Sequence, residues 1–411
     1  MSSGQSFRWQ MTSPISSDDI LRDARNFSLV LGGPLFQLLR RAHLSDNALM
    51  MVRQRIIFIS LFAWLPLLVL SALEGHLLGK SVAVPFLLDM EVHLRFLVVV
   101  PLLIIAELVV HQRLRPIAQA FIERNLIPKD DLPRFDQAIT SASRLRNSVL
   151  AEVMLITLVY GVGVLIIWRQ YTALQAATWY AAPSTGGSKL LLAGVWYGYV
   201  SVPIFQFLLL RWYFRLFIWT RFLWQVSRIE LSLIPTHPDR VGGLGFLSNT
   251  VYAFAVLVVA HGAMLAGQLA NRIFFLGAAL PEFKAEIAVM VVFLLCVVFC
   301  PLLVFAPQLA QAKRTGLREY GTLAERYVRA FDAKWLRGGA PRDEPLVGSA
   351  DIQSLADLTN SYEVVRSMNI APITKYAVLR LAATILLPIA PLALTMMPLE
   401  ELLKRLFGIL F

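Results

Sequence analysis

The chain has few cysteines and few charged side chains for its length. Cys296 and Cys300 are the only cysteines in 411 residues, and 16% of the residues are charged. Both cysteines lie inside one apolar run, which excludes an exported domain held together by disulfides. No other soft-metal ligand stands beside them in the sequence, so we predict that both are small, buried core side chains.

The N-terminus lacks the apolar core of a cleaved signal peptide. Its first twenty residues, MSSGQSFRWQMTSPISSDDI, hold no apolar run behind a positive charge. A secretory signal needs such a run. We therefore expect the first membrane-spanning segment to direct the chain to its membrane.

Apolar residues are what the chain has in excess. They make up 57% of the sequence, and the mean hydropathy is +0.62, which is more than a water-soluble fold of this size buries. The predicted fold class is an all-α, polytopic bundle of transmembrane helices. A bilayer core of about 30 Å takes about 20 helical residues. Seven segments meet this requirement: Ile56–Leu73, Leu94–Val110, Val149–Trp168, Leu190–Leu210, Thr250–Ala270, Ala285–Ala306 and Tyr376–Met397.

Lysine and arginine are distributed unevenly among the connecting segments. Segments 1–55, 112–148, 211–248 and 312–375 hold 29 of them, and the loops on the opposite side hold 6. Cytoplasmic loops carry the excess of basic residues in membrane proteins. This distribution predicts that the N-terminus and the long connections are cytoplasmic.

The chain divides into four parts by composition. They are a cytoplasmic N-terminal segment with an interfacial helix, a membrane domain of six spans, a cytoplasmic helical hairpin, and a last span with an interfacial C-terminal helix. Their bounds are 1–55, 56–311, 312–372 and 373–411. The interfacial helices are predicted at Leu29–His43 and Leu399–Phe411, where apolar residues recur at helical spacing beside charged ones.

Two amphipathic stripes predict the hairpin. One runs from Leu317 to Trp335 and the other from Ile352 to Val365, with the breaker-rich GGAPRDEPLVGS between them. Asp351 is placed to cap the second helix. Two interpretations stay open: the pair only packs beneath the membrane domain, or residues 317–368 dock a cytosolic partner.

The segment THPDRVGGLGFLS, residues 236–248, is a polar turn between the fourth and fifth spans. Its glycines allow positive φ, and successive N–H groups in such a turn form a nest that binds anions. The candidate ion or anion site consists of His237, Asp239, Arg240, Gly242, Gly243 and Gly245. The structural alternative has Asp239 paired with Arg240 or capping a helix, and the glycines letting helices pack closely. Catalysis by His237 and Asp239 is the third interpretation.

Among the ionisable side chains of the predicted spans, Glu107, Glu152 and His261 are the candidate functional residues. Such groups are costly at membrane depth and point to function by default. Each glutamate either binds a cation or proton or pairs with a nearby arginine. The arginines considered for pairing are Arg113, Arg146 and Arg211. His261 is either a hydrogen-bonded interior residue or part of a proton relay or metal site.

Two further patterns bear on ligands. His76, Asp89, Glu91 and His93 are metal-ligand types in one predicted outer loop, but their spacing is loose. The run RWYFRLFIWTRFLWQVSRIELSLIP mixes tryptophan and arginine where the fourth span leaves the membrane. There it favours contact with the bilayer, including anionic lipid, over binding of nucleic acid.

Three stretches carry a resemblance to known proteins. LGGPLFQLLRRA, HPDRVGGLGFL and LPIAPLALTMMPLEELLKRL resemble a group of uncharacterised bacterial polytopic membrane proteins. The resemblance implies a multi-pass protein of a bacterial cytoplasmic membrane. It implies no activity and assigns no functional residue.

These patterns lead to three functional hypotheses. The first is a channel or transporter for a small ion or polar solute that uses Glu107, Glu152 and His261. The second is a membrane scaffold or sensor that acts through the hairpin, and the third is a membrane enzyme at the Asp239 turn. We favour a role other than catalysis. The sequence identifies no cofactor and leaves oligomer formation open.

Overall fold

A computed structural model of the chain describes residues 27–30, 32, 52–78, 82–168, 178–184, 187–341 and 343–396. Within these ranges nearly all regular structure is helical. The sheet is a two-stranded antiparallel hairpin of β1 (Ala181–Ser184) and β2 (Gly187–Leu190). Five helices are long and apolar enough to cross a membrane, and two bent pairs raise the number to seven if each pair is one span.

The main helices in chain order are α1 (Val52–Leu73), α2 (Met90–Glu123), α3 (Leu132–Arg146), α4 (Val149–Leu158), α5 (Leu192–Val226), α6 (Thr250–Leu276), α7 (Lys284–Phe299), α8 (Ala306–Phe331), α9 (Ala350–Arg366) and α10 (Lys375–Leu386). Short 3-10 or π segments extend several of them. They include Lys129–Asp131 before α3, Val159–Trp168 after α4, Leu244–Asn249 before α6, Leu280–Phe283 before α7, Cys300–Phe305 between α7 and α8, Asp332–Leu336 after α8 and Ala390–Met396 after α10.

Each predicted span overlaps one of these long helices or bent pairs. The helices are therefore compatible with an integral membrane protein that crosses the bilayer several times. Hydropathy succeeds here because apolar length is the property that the bilayer selects. The interfacial helices predicted at 29–43 and 399–411 fall largely outside the described residues.

Helix α6 is the centre of the bundle. In its most apolar stretch 72% of the residues are buried inside the protein, compared with 22% for α1. Two glycines bring neighbouring helices close to α6: a Cβ at Gly262 would stand 2.2 Å from the carbonyl oxygen of Ile385, and one at Gly267 would stand 3.1 Å from the Cα of Glu91. Small residues permit such close helix contacts in membranes.

The bundle has two polar ends, which we call the Arg95 end and the Asp239 end. At the Arg95 end, Asn271 Nδ2 donates a 2.8 Å hydrogen bond to Asp89, so the end of α6 is joined to the start of α2. At the Asp239 end, the N–H of Ser232 donates a 2.9 Å bond to the carbonyl of Leu126, so the segment after α5 is joined to the end of α2.

The third predicted span is not continuous with the helix before it. The chain bends by 48° between α3 and α4. Ser148 is the reason: its Oγ accepts a 3.3 Å hydrogen bond from the N–H of Ala151 and caps a new helix. Serine competes in this way with backbone bonding inside a helix.

The cysteines are exposed, so the prediction that they are core side chains is wrong. Cys296 lies in α7 and Cys300 begins the 3-10 segment that follows, and both side chains point out of the bundle. In a membrane helix the outward face is apolar as well, because it meets lipid rather than water. An apolar run therefore does not distinguish buried from outward-facing positions.

Helices α8 and α9 pack against each other along their two apolar stripes. The cap of α9 is Ser349, whose Oγ accepts the N–H of Asp351 at 3.1 Å, and not Asp351 as the sequence suggested. The Asp351 carboxylate instead accepts bonds from Lys334 Nζ at 2.8 Å and Trp335 Nε1 at 2.9 Å, which join the two helices. That the pair lies in the cytoplasm stays a prediction.

Candidate functional site

The carboxylate of Asp239 closes the polar turn. Its Oδ1 accepts the N–H of Val241 at 2.9 Å and of Gly243 at 3.1 Å, and its Oδ2 accepts the N–H of Gly245 at 2.8 Å. The φ angles of Gly242 and Gly243 are +66° and +98°, a region that favours glycine. The predicted nest of N–H groups is thus formed, and the chain's own carboxylate occupies it.

His237 contacts the same carboxylate. Its Nδ1 lies 2.9 Å from Asp239 Oδ1 and 3.2 Å from the backbone nitrogen of Asp239. When Nδ1 carries the proton, it donates to Oδ1; when Nδ1 is unprotonated, it accepts from the backbone N–H. Burial raises the pKa of the Asp239 carboxyl, but the three backbone donors and His237 outweigh burial. The net result is a pKa below its ordinary value of 3.8.

The turn also holds the Asp239 end together. The carbonyl of Arg240 accepts the N–H of Asn369 at 2.7 Å, and Ser248 Oγ donates to the carbonyl of Pro372 at 2.9 Å. These bonds attach the chain between α9 and α10 to the start of α6. Arg240 itself has a φ of +56°, uncommon for a residue with a side chain. These contacts fit the structural interpretation of the turn, while binding of an external anion there stays a prediction.

Glu107 is surrounded by three buried arginines. Arg55 Nη2 donates to its Oε2 at 2.7 Å and Arg215 Nη2 donates to its Oε1 at 2.7 Å. Arg211 Nη1 lies 3.6 Å from the same Oε1, and Arg211 Nη2 lies 3.6 Å from Glu152 Oε1. We call these five residues the Glu107 cluster. It joins α1, α2, α4 and α5, and of the arginines considered from the sequence only Arg211 belongs to it.

The Glu107 cluster is positively charged. Three arginines face two carboxylates, and the side chains of Arg55, Glu107 and Arg215 are no more than 5% exposed. In the described part of the chain, Arg55 Nε and Nη1 have no hydrogen-bond partner. Buried charges of this kind are costly unless they are paired, which makes the cluster a candidate for function.

His261 is held by hydrogen bonds within the bundle. Its Nδ1 lies 2.8 Å from the carbonyl of Leu257, and its Nε2 lies 2.8 Å from the hydroxyl of Tyr213. With the proton on Nδ1, His261 donates to the carbonyl and accepts from the tyrosine. Both ring nitrogens are therefore engaged, as expected of an interior structural histidine.

A cavity of about 410 Å³ opens at the Arg95 end. Charged, amide and aromatic side chains share its surface, and neither Glu107 nor His261 reaches it. Arg272, whose side chain is 47% exposed, marks its mouth. Its lining consists of Val84, Asp89, Glu91, Arg95, Gly163, Thr178, Tyr180, Tyr197, Val202, Phe205, Gln206, Gln268, Asn271 and Arg272. We call it the Arg95 cavity.

Three π-helical segments converge on the Arg95 cavity. They are Leu94–Val99, Val159–Trp168 and Tyr197–Ser201, and they contribute Arg95, Gly163 and Tyr197 to its wall. Such segments hold well under 1% of residues in proteins and occur often at functional sites. The presence of three such segments around one cavity therefore supports a functional site there, independently of the side chains that line the cavity.

Arg95 is held against the cavity wall. Its Nη1 donates to the hydroxyl of Tyr197 at 2.5 Å, its Nη2 donates to Glu91, and its guanidinium lies over the ring of Phe205 at 5.5 Å. Arg95 Nε is buried and has no partner among the described residues. The arrangement leaves one oriented N–H donor of a charged side chain unused.

Asp89 is another charged residue of the wall, and it acts as a structural acceptor. It accepts bonds from Trp179 Nε1 at 2.8 Å, Asn271 Nδ2 at 2.8 Å and the N–H of Val92 at 3.2 Å. The metal site considered for this loop has no support here, since the described ranges hold no group of three or more His, Cys, Asp or Glu side chains placed for a metal ion. His93 Nδ1 instead accepts a 3.0 Å hydrogen bond from Trp64 Nε1.

Sequence reasoning missed Arg95, Gly163 and Tyr197 as site residues. Proline supplies a signal for two of the three π segments, because Pro101 and Pro203 each follow the end of one by two residues. Proline cannot donate to the carbonyl four residues before it, and its ring crowds that carbonyl. In these two spans the proline marks where the helix widens, whereas Pro66 in α1 lies in a regular α-helix.

The Arg95 cavity has the chemistry to bind a small polar molecule. Its wall presents guanidinium, carboxylate, amide and hydroxyl groups beside the rings of Tyr180, Tyr197 and Phe205. Ligand sites commonly combine an apolar surface with a few fixed polar groups, and this volume is within their usual range. Comparisons with known proteins identify no matching family model, no matching curated protein and no matching solved structure.

Proposed function

We propose that the chain is an integral membrane protein that binds a small polar solute in the Arg95 cavity and carries it across the bilayer. The observation that carries the proposal is the convergence of three π segments, between apolar helices, on one cavity that charged and amide side chains line. Irregular backbone at membrane depth is tolerated where it lines a cavity. Discontinuous helices around a central site are also a recurring feature of transporters.

The depth of the cavity supports transport over simple surface binding. Gln206 lies fourteen residues after the start of α5, which is about 21 Å along a helix at 1.5 Å per residue. The cavity thus extends well into a bilayer core of about 30 Å. With the orientation predicted from the basic residues, it opens to the outside of the cell.

The composition of the wall favours a polar molecule over a bare ion. Apart from Arg95 Nε, its charged groups already have protein partners: Glu91 pairs with Arg95, Arg272 pairs with Glu286 at 2.8 Å, and Asp89 accepts three hydrogen bonds. Uncharged donors and acceptors, including the amides of Gln206 and Gln268, remain to face a ligand.

Osmotic swelling of lipid vesicles that contain the full chain tests this proposal. Glycerol, glycine, acetate and choline sample neutral, zwitterionic, anionic and cationic solutes. We expect glycerol or glycine to enter faster than into protein-free vesicles, and the Arg95→Leu variant to lose the difference. Rates equal to those of protein-free vesicles for all four solutes, with folded protein present, would count against transport.

The scaffold hypothesis has one observation in its favour. Leu336 and Val347, near the turn of the α8–α9 pair, are 69% and 89% exposed. Contiguous exposed apolar patches mark interaction sites, and under this hypothesis the two side chains belong to such a patch. This alternative predicts no solute flux, and loss of a co-purifying cytosolic protein when both residues are replaced by glutamate.

An enzyme at the Asp239 turn is the third candidate and the least supported. The Asp239 carboxylate already accepts three backbone N–H groups, and the Ser248 hydroxyl donates to the carbonyl of Pro372. A nucleophile needs a hydrogen-bonded base beside it. The described residues of the turn present no such pair.

A further inference from the structure

The Arg95 cavity and the Glu107 cluster lie on the same two helices. On α2, Arg95 and Glu107 are twelve residues apart, and on α5, Gln206 and Arg211 are five residues apart. These separations correspond to about 18 Å and about 7.5 Å along the helix axes. On α5 the cavity wall is therefore less than two turns from the cluster.

The residues between the cavity and the cluster form an apolar barrier. Buried aliphatic side chains separate the two polar regions along both helices, namely Val99, Leu103, Ile104 and Leu208. Trp212 Nε1 donates to the carbonyl of Leu103 at 2.9 Å and fastens α5 to α2 beside them. A solute leaving the cavity toward the Asp239 end has to pass this barrier and then the cluster.

The contacts of Arg211 indicate that its side chain can pair with either of two carboxylates. Its guanidinium stands 3.6 Å from Glu107 and 3.6 Å from Glu152, so it is shared between the carboxylates and hydrogen-bonded to neither. Glu107 is in addition held by Arg55 and Arg215 at 2.7 Å. Arg55 keeps two buried donor nitrogens, Nε and Nη1, without partners in the described part of the chain.

We infer that the Glu107 cluster is the inner gate of the solute pathway, and that it opens when Arg211 exchanges Glu107 for Glu152. The inference rests on the proposed function, because a gate needs a pathway. In the closed state Glu107 ties α1, α2 and α5 together. When Arg211 moves to Glu152, it draws α5 toward α4, which loosens the contact with α2 beneath the cavity.

Thiol labelling in lipid vesicles tests the gate without a known solute. The full chain carries Cys296→Ser and Cys300→Ser, both at outward-facing positions, and Leu208→Cys as the reporter in the barrier. A membrane-impermeant thiol reagent is supplied only from the Asp239 end. A second reporter, Ala263→Cys in the buried face of α6, controls for general loosening of the fold.

Glu107→Gln removes the carboxylate that holds the gate closed. We expect it to raise the labelling rate at position 208 by about tenfold or more, which corresponds to a shift of about 1.4 kcal/mol. Labelling at position 263 should stay unchanged. An unchanged rate at 208, or an equal rise at 263, overturns the inference.

Glu152→Gln keeps the inference testable if the first variant does not fold. It removes the carboxylate to which Arg211 moves, so we expect labelling at position 208 to fall below that of the parent protein by a similar factor. Glu286→Gln, in an exposed pair with Arg272, is the matched control and should leave the rate unchanged. No fall in the Glu152→Gln variant contradicts the exchange.

Flux and labelling together separate the two proposals. If labelling changes as stated but the vesicles carry no solute, the proposed transport fails while the two-state cluster stands. If solute flux occurs but labelling at 208 is the same in every variant, the gate fails and the proposed transport stands.

Discussion

Asp239 Oδ2 accepts the backbone N–H of Gly245 at 2.8 Å, and a Cβ on residue 245 would stand 2.9 Å from that same oxygen. The carboxylate and the glycine therefore require each other. Asp239 needs an N–H donor at close range, and only a residue without a side chain leaves room for it. The turn is built around this contact, whatever further role it has.

The glycines of the turn should matter more to folding than its histidine. Gly243 has a φ of +98°, and a Cβ there would lie 3.3 Å from Leu126 Cδ2. A β-branched residue is strained in that conformation. We expect Gly243→Val to lower the yield of monodisperse protein in detergent more than His237→Ala does. Equal yields, with activity lost only in the histidine variant, would favour chemistry over structure.

The lowered pKa of Asp239 predicts a sensitivity to acid. A carboxyl whose pKa is lower in the folded state than in the unfolded state stabilises the fold when the pH is above the unfolded-state pKa. This stabilisation disappears as the pH falls through the folded-state pKa. The loss should therefore begin as the pH falls below about 3.8. Thermal unfolding in detergent should show a smaller drop over this range for Asp239→Asn than for the parent. Parallel pH profiles would contradict the assignment.

Glu107 should be among the most sensitive positions for stability. Removal of one partner from a buried ion pair costs about 3–5 kcal/mol, because the other charge is left unpaired. We expect Glu107→Leu to lower the free energy of unfolding by about this amount. Glu286→Gln breaks a pair whose side chains are about half exposed, and it should cost about 0–1 kcal/mol. Similar losses in the two variants would contradict a greater contribution to stability from the buried cluster than from the exposed pair.

The predicted orientation can be measured by fusion. A reporter that is active only in the cytoplasm should be active when fused after Gly338, which follows the α8 segment, and silent when fused after Pro183 in β1. The prediction follows from the uneven distribution of lysine and arginine. The reverse pattern would invert the bundle and make the Arg95 cavity open to the cytoplasm.

The spans were predictable because each depends on a local property. A bilayer demands apolar length from every crossing helix, so Thr250–Ala270 and its counterparts are visible without knowledge of their neighbours. Position within the bundle is not local. Cys296 faces outward and His261 faces inward although both lie in apolar runs, since lipid and protein interior select similar side chains.

The polar sites were less predictable because their partners are distant in sequence. Arg55 and Glu107 are 52 positions apart, and Arg215 and Glu107 are 108 apart. Spacing rules extend only to residues on one helix face. The Asp239 nest is the opposite case, because all its N–H donors lie within six residues of Asp239. The nest could therefore be inferred from the sequence, but the sequence did not show that the Asp239 carboxylate occupies it.

If the Arg95 cavity is part of a solute pathway, reversible plugging of the cavity should block the solute. Gln268→Cys, in the background with Cys296→Ser and Cys300→Ser, places one thiol in the cavity wall. Solute flux into vesicles is measured before and after attachment of a bulky thiol reagent, and again after reduction. We predict that flux falls to the protein-free rate on attachment and recovers on reduction. Unchanged flux at complete labelling would contradict the claim.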